Sequence, residues 1–262
     1  MAELFIRNNS VGLIKGIIFD KDGTLSNSEK CLLELAKTRI EFAAKKFREL
    51  KINNLRITLL KGLLKSVYGL KKQALSANAS LAIASKENNI LSTATIFTLF
   101  GFDWFKSLSI SEEIFDEVDI LLMNNRENIP THRTLISGAF DLLFSLKEKG
   151  VGIALMTNDT QSGIEEFIFK NKLEGIFDYL WSAENNPSKP KPEAVIELCK
   201  RMSLNPSECA LISDADTDLK MAKKANISTV IGFTGGWKKP PALTERRFII
   251  EKLNELKIHS TN

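Results

Sequence analysis

Three short apolar runs in this chain each stop at a cluster of acids or hydroxyls. Leu13 to Phe19 ends at Asp20-Lys21-Asp22-Gly23-Thr24. Ile153-Ala154-Leu155-Met156 ends at Thr157-Asn158-Asp159, and Ala210-Leu211-Ile212-Ser213 ends at Asp214-Ala215-Asp216-Thr217-Asp218. Runs of this length read as buried strands. Gly23 permits a sharp turn directly after the first pair of carboxylates. Open α/β sheets bind ligands at the carboxyl ends of their strands, so an aspartate there can reach a substrate and a metal together.

A fourth element joins them. Ser188-Lys189-Pro190-Lys191-Pro192 is a stiff, basic loop ahead of a helical stretch. In chain order the polar groups are carboxylates, hydroxyl, lysine, carboxylates. Phosphoryl transfer through an aspartyl-phosphate needs this set. From about Leu13 to Phe233, the middle insertion excepted, the chain resembles the haloacid dehalogenase superfamily, whose four motifs come in the same order.

The resemblance implies a role for each matching residue. Asp20 is the expected nucleophile, forming a covalent acyl phosphate. Asp22 is the expected general acid and base. The hydrolytic dehalogenases lack an acid there, so Asp22 favours phosphate chemistry. The Thr157 hydroxyl and the Asn158 N–H are expected to bind a phosphoryl oxygen at a helix N-terminus. Lys189 is expected to hold nucleophile and phosphate by charge, with Lys191 as its rival. Asp20, the Asp22 carbonyl, Asp214 and Asp218 form the expected metal set. Hard oxygen ligands suit Mg²⁺. Asp214 is the direct ligand in this reading, Asp218 acts through water or orients Lys189, and Asp216 merely starts a helix. Two positions depart from the family pattern: Ser188 and Ser213 stand where glycine is usual.

The bulk numbers fit a protein of this kind. The chain has 262 residues, 44% of them hydrophobic, enough for a sizeable core and a second domain. A net charge of +4, with acids and bases mixed, suits a small anionic substrate. No basic block with interleaved aromatics argues for nucleic acid. Cys31, Cys199 and Cys209 are widely spaced and contain no C-x-x-C pair, which points away from zinc and toward a reducing compartment. No apolar h-region opens the chain, and no stretch approaches about 20 apolar residues. The expectation is a cytoplasmic protein without a membrane partner. Two histidines, His132 and His259, leave little room for a Ser-His-Asp mechanism.

Between Phe19 and Gly152 the sequence is helical and amphipathic. Ser26 and Glu29 fit a capping box. Helical spacing then predicts helices over 29–50 and 54–68, the second ended by Gly69, and two more over 81–85 and 90–100. Ser111 is the expected cap of a fifth, reaching Met123. We expect residues 26–133 to be an inserted helical domain with a boundary near Pro130. By resemblance it is a C1-type cap that selects the leaving group, with His132 and Arg133 at its second linker. Residues 1–25 and 134–262 then form a Rossmann-like parallel sheet core with helices on both faces, the α/β class. Leu243 to Leu256 reads as a last helix, and Ile258 to Asn262 as a disordered tail. The function expected from the resemblance is Mg²⁺-dependent hydrolysis of a small phosphomonoester, in the manner of phosphoglycolate phosphatases. The alternatives are a β-phosphoglucomutase-like phosphotransferase with the same core residues and a binding protein with a silent site.

Overall fold

A computed structural model describes residues 1–124, 134–245 and 247–261. Pro130, His132 and Arg133, the expected second linker, lie outside the described residues. The chain opens with strands β1 (Ala2–Ile6), β2 (Asn9–Ile14) and β3 (Gly16–Phe19), and the short strand β4 (Ser26–Asn27). Helices α1 (Glu29–Glu49) and α2 (Asn54–Tyr68), the hairpin β5 (Leu70–Lys71) and β6 (Ala74–Leu75), and helices α3 (Ser80–Ile83), α4 (Lys86–Thr98) and α5 (Trp104–Asn124) follow. Strand β7 (Thr134–Leu135) pairs with β4, and then come α6 (Ala139–Glu148), β8 (Gly152–Met156), α7 (Gln161–Lys170) and β9 (Tyr179–Trp181). The chain ends with α8 (Pro192–Arg201), β10 (Cys209–Ser213), α9 (Asp216–Lys224), β11 (Thr229–Phe233), β12 (Ile249–Ile250) and β13 (Leu256–Ser260).

Two compact units result, Met1–Ser28 with Arg133–Asn262, and Glu29–His132. The first is built on a six-stranded parallel sheet in the order β12-β11-β10-β3-β8-β9. Parallel strands are buried on both faces, so they read as continuous apolar runs. Side chains still alternate along them. Ile17 and Phe19 of β3 pack with Leu143 and Leu146 of α6 and with Ile164 and Phe167 of α7. Ile18 packs on the opposite face with Val195 and Leu198 of α8 and with Leu219 and Ala222 of α9. The doubly wound core read from sequence is thus present. β3 sits between β8 and β10, so the connections leave it in opposite directions and open a crevice at its carboxyl end.

The second unit is helical, with only the hairpin β5-β6 among its described residues as sheet. Phe47 anchors its core against Phe97, Phe100 and Phe102, at centroid separations of 5.2 to 5.5 Å. Arg39 lies 3.7 Å over the Phe115 ring. Asn53 caps α2 through Arg56 N, and Gly69 ends it in the left-handed conformation that glycine tolerates.

Several sequence expectations are overturned. The apolar run from Leu13 is two strands: β2 stops at Ile14 and joins an antiparallel sheet with β1 and β13, leaving Leu13 half exposed. Gly16 restarts the chain where a Cβ would meet Leu204 Cδ1 at 2.6 Å. Ser26 does not cap α1. It lies in β4, held by its N–H to the Lys21 carbonyl at 2.9 Å, and Glu29 accepts instead from Leu75 N at 3.1 Å. Ser111 is not a cap but is buried mid-helix, its Oγ donating to the Ile90 carbonyl. Asp103 accepts from Lys106 N at the start of that helix.

The last expected helix is absent from the described residues. Ile249 and Ile250 add an edge strand to the large sheet, and a single 3₁₀ turn, Leu253–Glu255, follows. The tail forms a strand over Leu256–Ser260: Leu256 and Ile258 are buried and Lys257 and His259 exposed, the period of a strand, and β13 pairs antiparallel with β1.

Candidate active site

Register places the expected residues side by side. Phe19 pairs with Leu155 on one side and with Ile212 on the other. Asp20 therefore leaves the sheet between Met156-Thr157 and Ser213-Asp214, three strand ends that face one crevice. The Asp20 N–H donates to the Ile212 carbonyl at 3.0 Å and fixes the start of the loop.

Lys189 is the hub. Its Nζ lies 2.6 Å from Asp20 Oδ1 and 2.6 Å from Asp218 Oδ2. It is buried, whereas Lys191 is exposed at the start of α8. The structure thus brings Lys189 and not Lys191 to Asp20. Asp218 Oδ2 also accepts from Ser213 Oγ at 2.8 Å, and that hydroxyl accepts the Ala215 N–H at 3.1 Å. The departure from glycine at 213 therefore supplies a donor that holds Asp218 on the lysine.

Asp214 is almost fully buried on the other side of the same strand end. Its Oδ1 accepts from Thr24 Oγ1 at 3.0 Å, and its own N–H donates back to that oxygen at 3.0 Å. Its Oδ2 accepts from Trp237 Nε1 at 2.5 Å. Glycine is required where these groups crowd. A Cβ on Gly23, which has φ +83°, would sit 2.3 Å from Trp237 Nε1, and one on Gly236 would sit 1.9 Å from the Gly23 carbonyl oxygen. Trp237 had no sequence signal beyond an aromatic after two glycines, which reads as packing.

Electrostatics follow from burial. Desolvation raises the Asp20 carboxyl to about 6. Lys189 pulls it down, while Asp218 and Asp22 push it up. Burial would lower the Lys189 ammonium, yet Asp20 and Asp218 outweigh it and hold the group above its ordinary range. Asp214 is pushed well above the carboxylate range by burial and then by Asp20, against the donors Trp237 and Thr24. Asp216 differs. Partial burial would raise it, but Lys220 and Thr244 hold it well below its ordinary value, as suits a helix-start residue outside the site.

Asp22 turns its carboxylate to its own loop. Oδ1 accepts from Ser28 Oγ, and Oδ2 lies 3.1 Å from Lys21 Nζ. Thr157 is buried at the end of β8, its N–H donating to the Trp181 carbonyl at 2.8 Å. It is not at the helix N-terminus. Thr160 is the N-cap of α7, accepting from Gly163 N, and Thr157 Oγ1 instead accepts from Asp159 N at 3.1 Å. Asn158 follows, half-buried.

Asp214 and Asp218 are buried and Asp20 is partly buried, three carboxylates beside the one ammonium of Lys189. Buried charge requires a partner. The surplus suits a hard cation that takes one or two carboxylates and keeps several waters. Among the described residues no group of three or more acidic, histidine or cysteine side chains forms an all-side-chain cage. A magnesium site built from two carboxylates, a carbonyl and waters needs none.

Comparison with known proteins gives the kinship. A family model described as haloacid dehalogenase-like hydrolase matches residues 14–226. A phosphoglycolate phosphatase of Haemophilus influenzae is 23% identical over 194 residues, covering 68% of this chain and 85% of that one. An uncharacterized hydrolase of Saccharomyces cerevisiae is 25% identical over 96 residues, and the match spans only 44% of its length. The fold is also that of a "predicted phosphoglycolate phosphatase" from Haemophilus somnus, with TM-score 0.62, 19% identity and coverage of 91% of this chain and 94% of the other. A β-phosphoglucomutase from Clostridium difficile superposes with TM-score 0.56 at 17% identity, covering 93% of each chain. A family model extending over that much of the sequence settles the relationship: this chain belongs to the haloacid dehalogenase-like hydrolases.

Proposed function

We propose that the chain is a Mg²⁺-dependent phosphatase that hydrolyses a small phosphomonoester through phospho-Asp20. The observation that carries the reading is Lys189 Nζ shared between Asp20 Oδ1 and Asp218 Oδ2, each at 2.6 Å. A lysine held in this way keeps the Asp20 carboxylate available as a nucleophile beside an incoming anion. Asp20 attacks phosphorus, and the departing ester oxygen takes a proton from Asp22. Water then attacks the acyl phosphate, Asp22 takes its proton, and phosphate leaves with Asp20 restored. Thr157 and the Asn158 N–H bind phosphoryl oxygens, and Lys189 balances their charge. Asp20, Asp214 and the Asp22 carbonyl would hold Mg²⁺, which offsets the charge of the phosphate. Asp218, occupied by Lys189 and Ser213, serves by orienting the lysine.

The phosphoglycolate phosphatase among the relatives supports a small phosphorylated acid or alcohol as substrate. The helical unit is proposed as the cap that selects it. No described helix is long and apolar enough to cross a membrane. None of Cys31, Cys199 and Cys209 is in a disulfide, which supports a reducing, cytoplasmic setting. Phosphate release from a panel of phosphomonoesters, with and without Mg²⁺ and beside Asp20→Asn, tests the reading. Mg²⁺-dependent release that vanishes in the variant supports it. Transfer to an added sugar faster than release would make the protein a phosphotransferase, and no turnover at all would make the site silent.

A further inference from the structure

Among the described residues two lysines are buried, and the chemistry above uses only one. Lys21, between the two motif aspartates, is fully buried, deeper than Lys189. Its Nζ bonds Asp159 Oδ2 from the loop after β8, lies 3.1 Å from Asp22 Oδ2, and sits 5.9 Å over the Phe167 ring. Taking an ammonium out of water is costly, and the Phe167 ring under it belongs to the apolar core. The cation therefore needs an account that packing does not give.

Both partners are fixed independently. Asp159 Oδ1 accepts the Thr160 N–H at 2.9 Å, its carbonyl accepts Ala183 N at 2.9 Å, and its own N–H donates to Thr157 Oγ1 at 3.1 Å. Gly163 leaves it room, since a Cβ there would sit 2.4 Å from Asp159 Oδ2. The Lys21 carbonyl accepts from Leu25 N at 3.0 Å and Ser26 N at 2.9 Å, so its main chain closes the turn that carries Asp22.

We propose that Lys21 and Asp159 are a positioning pair, tying the general acid and base Asp22 to the phosphate-binding Thr157 across the ends of β3 and β8. The inference rests on the phosphatase reading for the roles of Asp22 and Thr157. The contacts run Asp22, Lys21, Asp159, Thr157, so the pair sets the spacing between proton donor and phosphoryl group. Misplacement of a catalytic group by about 1 Å can cost about 10²-fold in rate. In the step that forms phospho-Asp20, the loss falls on esters whose leaving oxygen must be protonated and spares those whose leaving group departs as a stable anion, whereas hydrolysis of phospho-Asp20 slows alike for both.

The test uses the full chain and the variants Lys21→Met, Asp159→Asn, the double variant and Lys21→Arg. Rates are measured on p-nitrophenyl phosphate and on the alkyl phosphate released fastest in the panel. Lys21→Met should lower kcat/KM on the alkyl ester by about 30-fold or more, with the aryl kcat/KM within about threefold. The double variant should be no slower than the worse single one, and Lys21→Arg should recover part of the rate. Equal losses in kcat/KM on both esters, or losses that multiply in the double variant, overturn the proposal. A thermal cycle on the unmodified chain, Lys21→Met, Asp159→Asn and the double variant decides the pairing without activity. Each single variant should lower Tm and the double should recover part of the loss, whereas additive losses overturn it. Absent Mg²⁺-dependent release by the unmodified chain would sink the phosphatase reading alone, since the thermal cycle still reports on the pair.

Discussion

Trp237 Nε1 donates to Asp214 Oδ2 at 2.5 Å, so an indole from the loop after β11 holds a buried carboxylate at the end of β10. Groups that orient a metal ligand typically contribute 10–100-fold to affinity. Removing the donor also leaves Asp214 with less to oppose its burial, raising its carboxyl further. Trp237→Phe should therefore raise the Mg²⁺ concentration for half-maximal phosphate release about tenfold at pH 7. The defect should shrink at pH 9, since higher pH favours the ionised form of the Asp214 carboxyl that burial raises. A magnesium titration at both pH values checks this, and an unchanged half-saturation would remove Trp237 from the site.

Asp20 carries a pH signature in the protein without metal. Its carboxyl is raised from 3.8 to about 6, chiefly by burial. A raised carboxyl stabilises the fold while it is protonated, so this contribution is complete below about pH 4 and is lost as pH rises through about 6. Asp214 shifts in the same direction. In EDTA, Tm should fall between about pH 4 and pH 7, and Asp20→Asn should flatten part of that fall and raise Tm at pH 7 by a few degrees. Calorimetry over that range checks the sign. A Tm that rises with pH across the window in the variant and the unmodified chain alike would contradict it.

What sequence could reveal here depended on how local each signal was. Apolar runs ending in aspartate or threonine located β3, β8 and β10 because a buried parallel strand has no solvent face to interrupt it. Lys189 could be separated from Lys191 only by burial, a property of the folded loop. Trp237 and Lys21 were missed for the same reason: an indole after two glycines and a lysine between two aspartates carry no period. The capping-box pattern at Ser26 failed because β4 pairs with β7, more than a hundred residues along the chain. The tail failed similarly. Its partner β1 is at the opposite end of the chain, and the run Leu253 to Leu256 mimics helical spacing.

That tail makes its own prediction. Leu256 and Ile258 are buried against the core that includes Leu4 and Ile6 of β1. Truncation of a buried Leu or Ile to Ala costs about 2–5 kcal/mol. Ile258→Ala should lower unfolding stability by about 2 kcal/mol or more, while Lys257→Ala, exposed on the same strand, should change it by less than about 0.5 kcal/mol. Urea unfolding of both variants decides it. Equal, small effects would mean that the strand pairs without contributing to the core.

Lys189 and Lys191 provide the most direct contrast. Lys189→Met leaves Asp20 and Asp218 buried with their shared cation gone, whereas Lys191→Met alters an exposed side chain. Breaking a buried pair by removing one partner costs about 3–5 kcal/mol. The penalty should shrink at low pH, because the Asp20 carboxyl, raised to about 6, can then take up a proton. Activity should fall about 10²–10³-fold in Lys189→Met, the usual loss when one group that stabilises transition-state charge is removed. Lys191→Met should stay within about threefold of the unmodified rate, since its side chain is exposed. Phosphate release at saturating substrate, with Tm at pH 5 and pH 8, separates the two. Comparable losses in both variants would show that the loop from Ser188 to Pro192 acts as a basic surface and not through one placed ammonium.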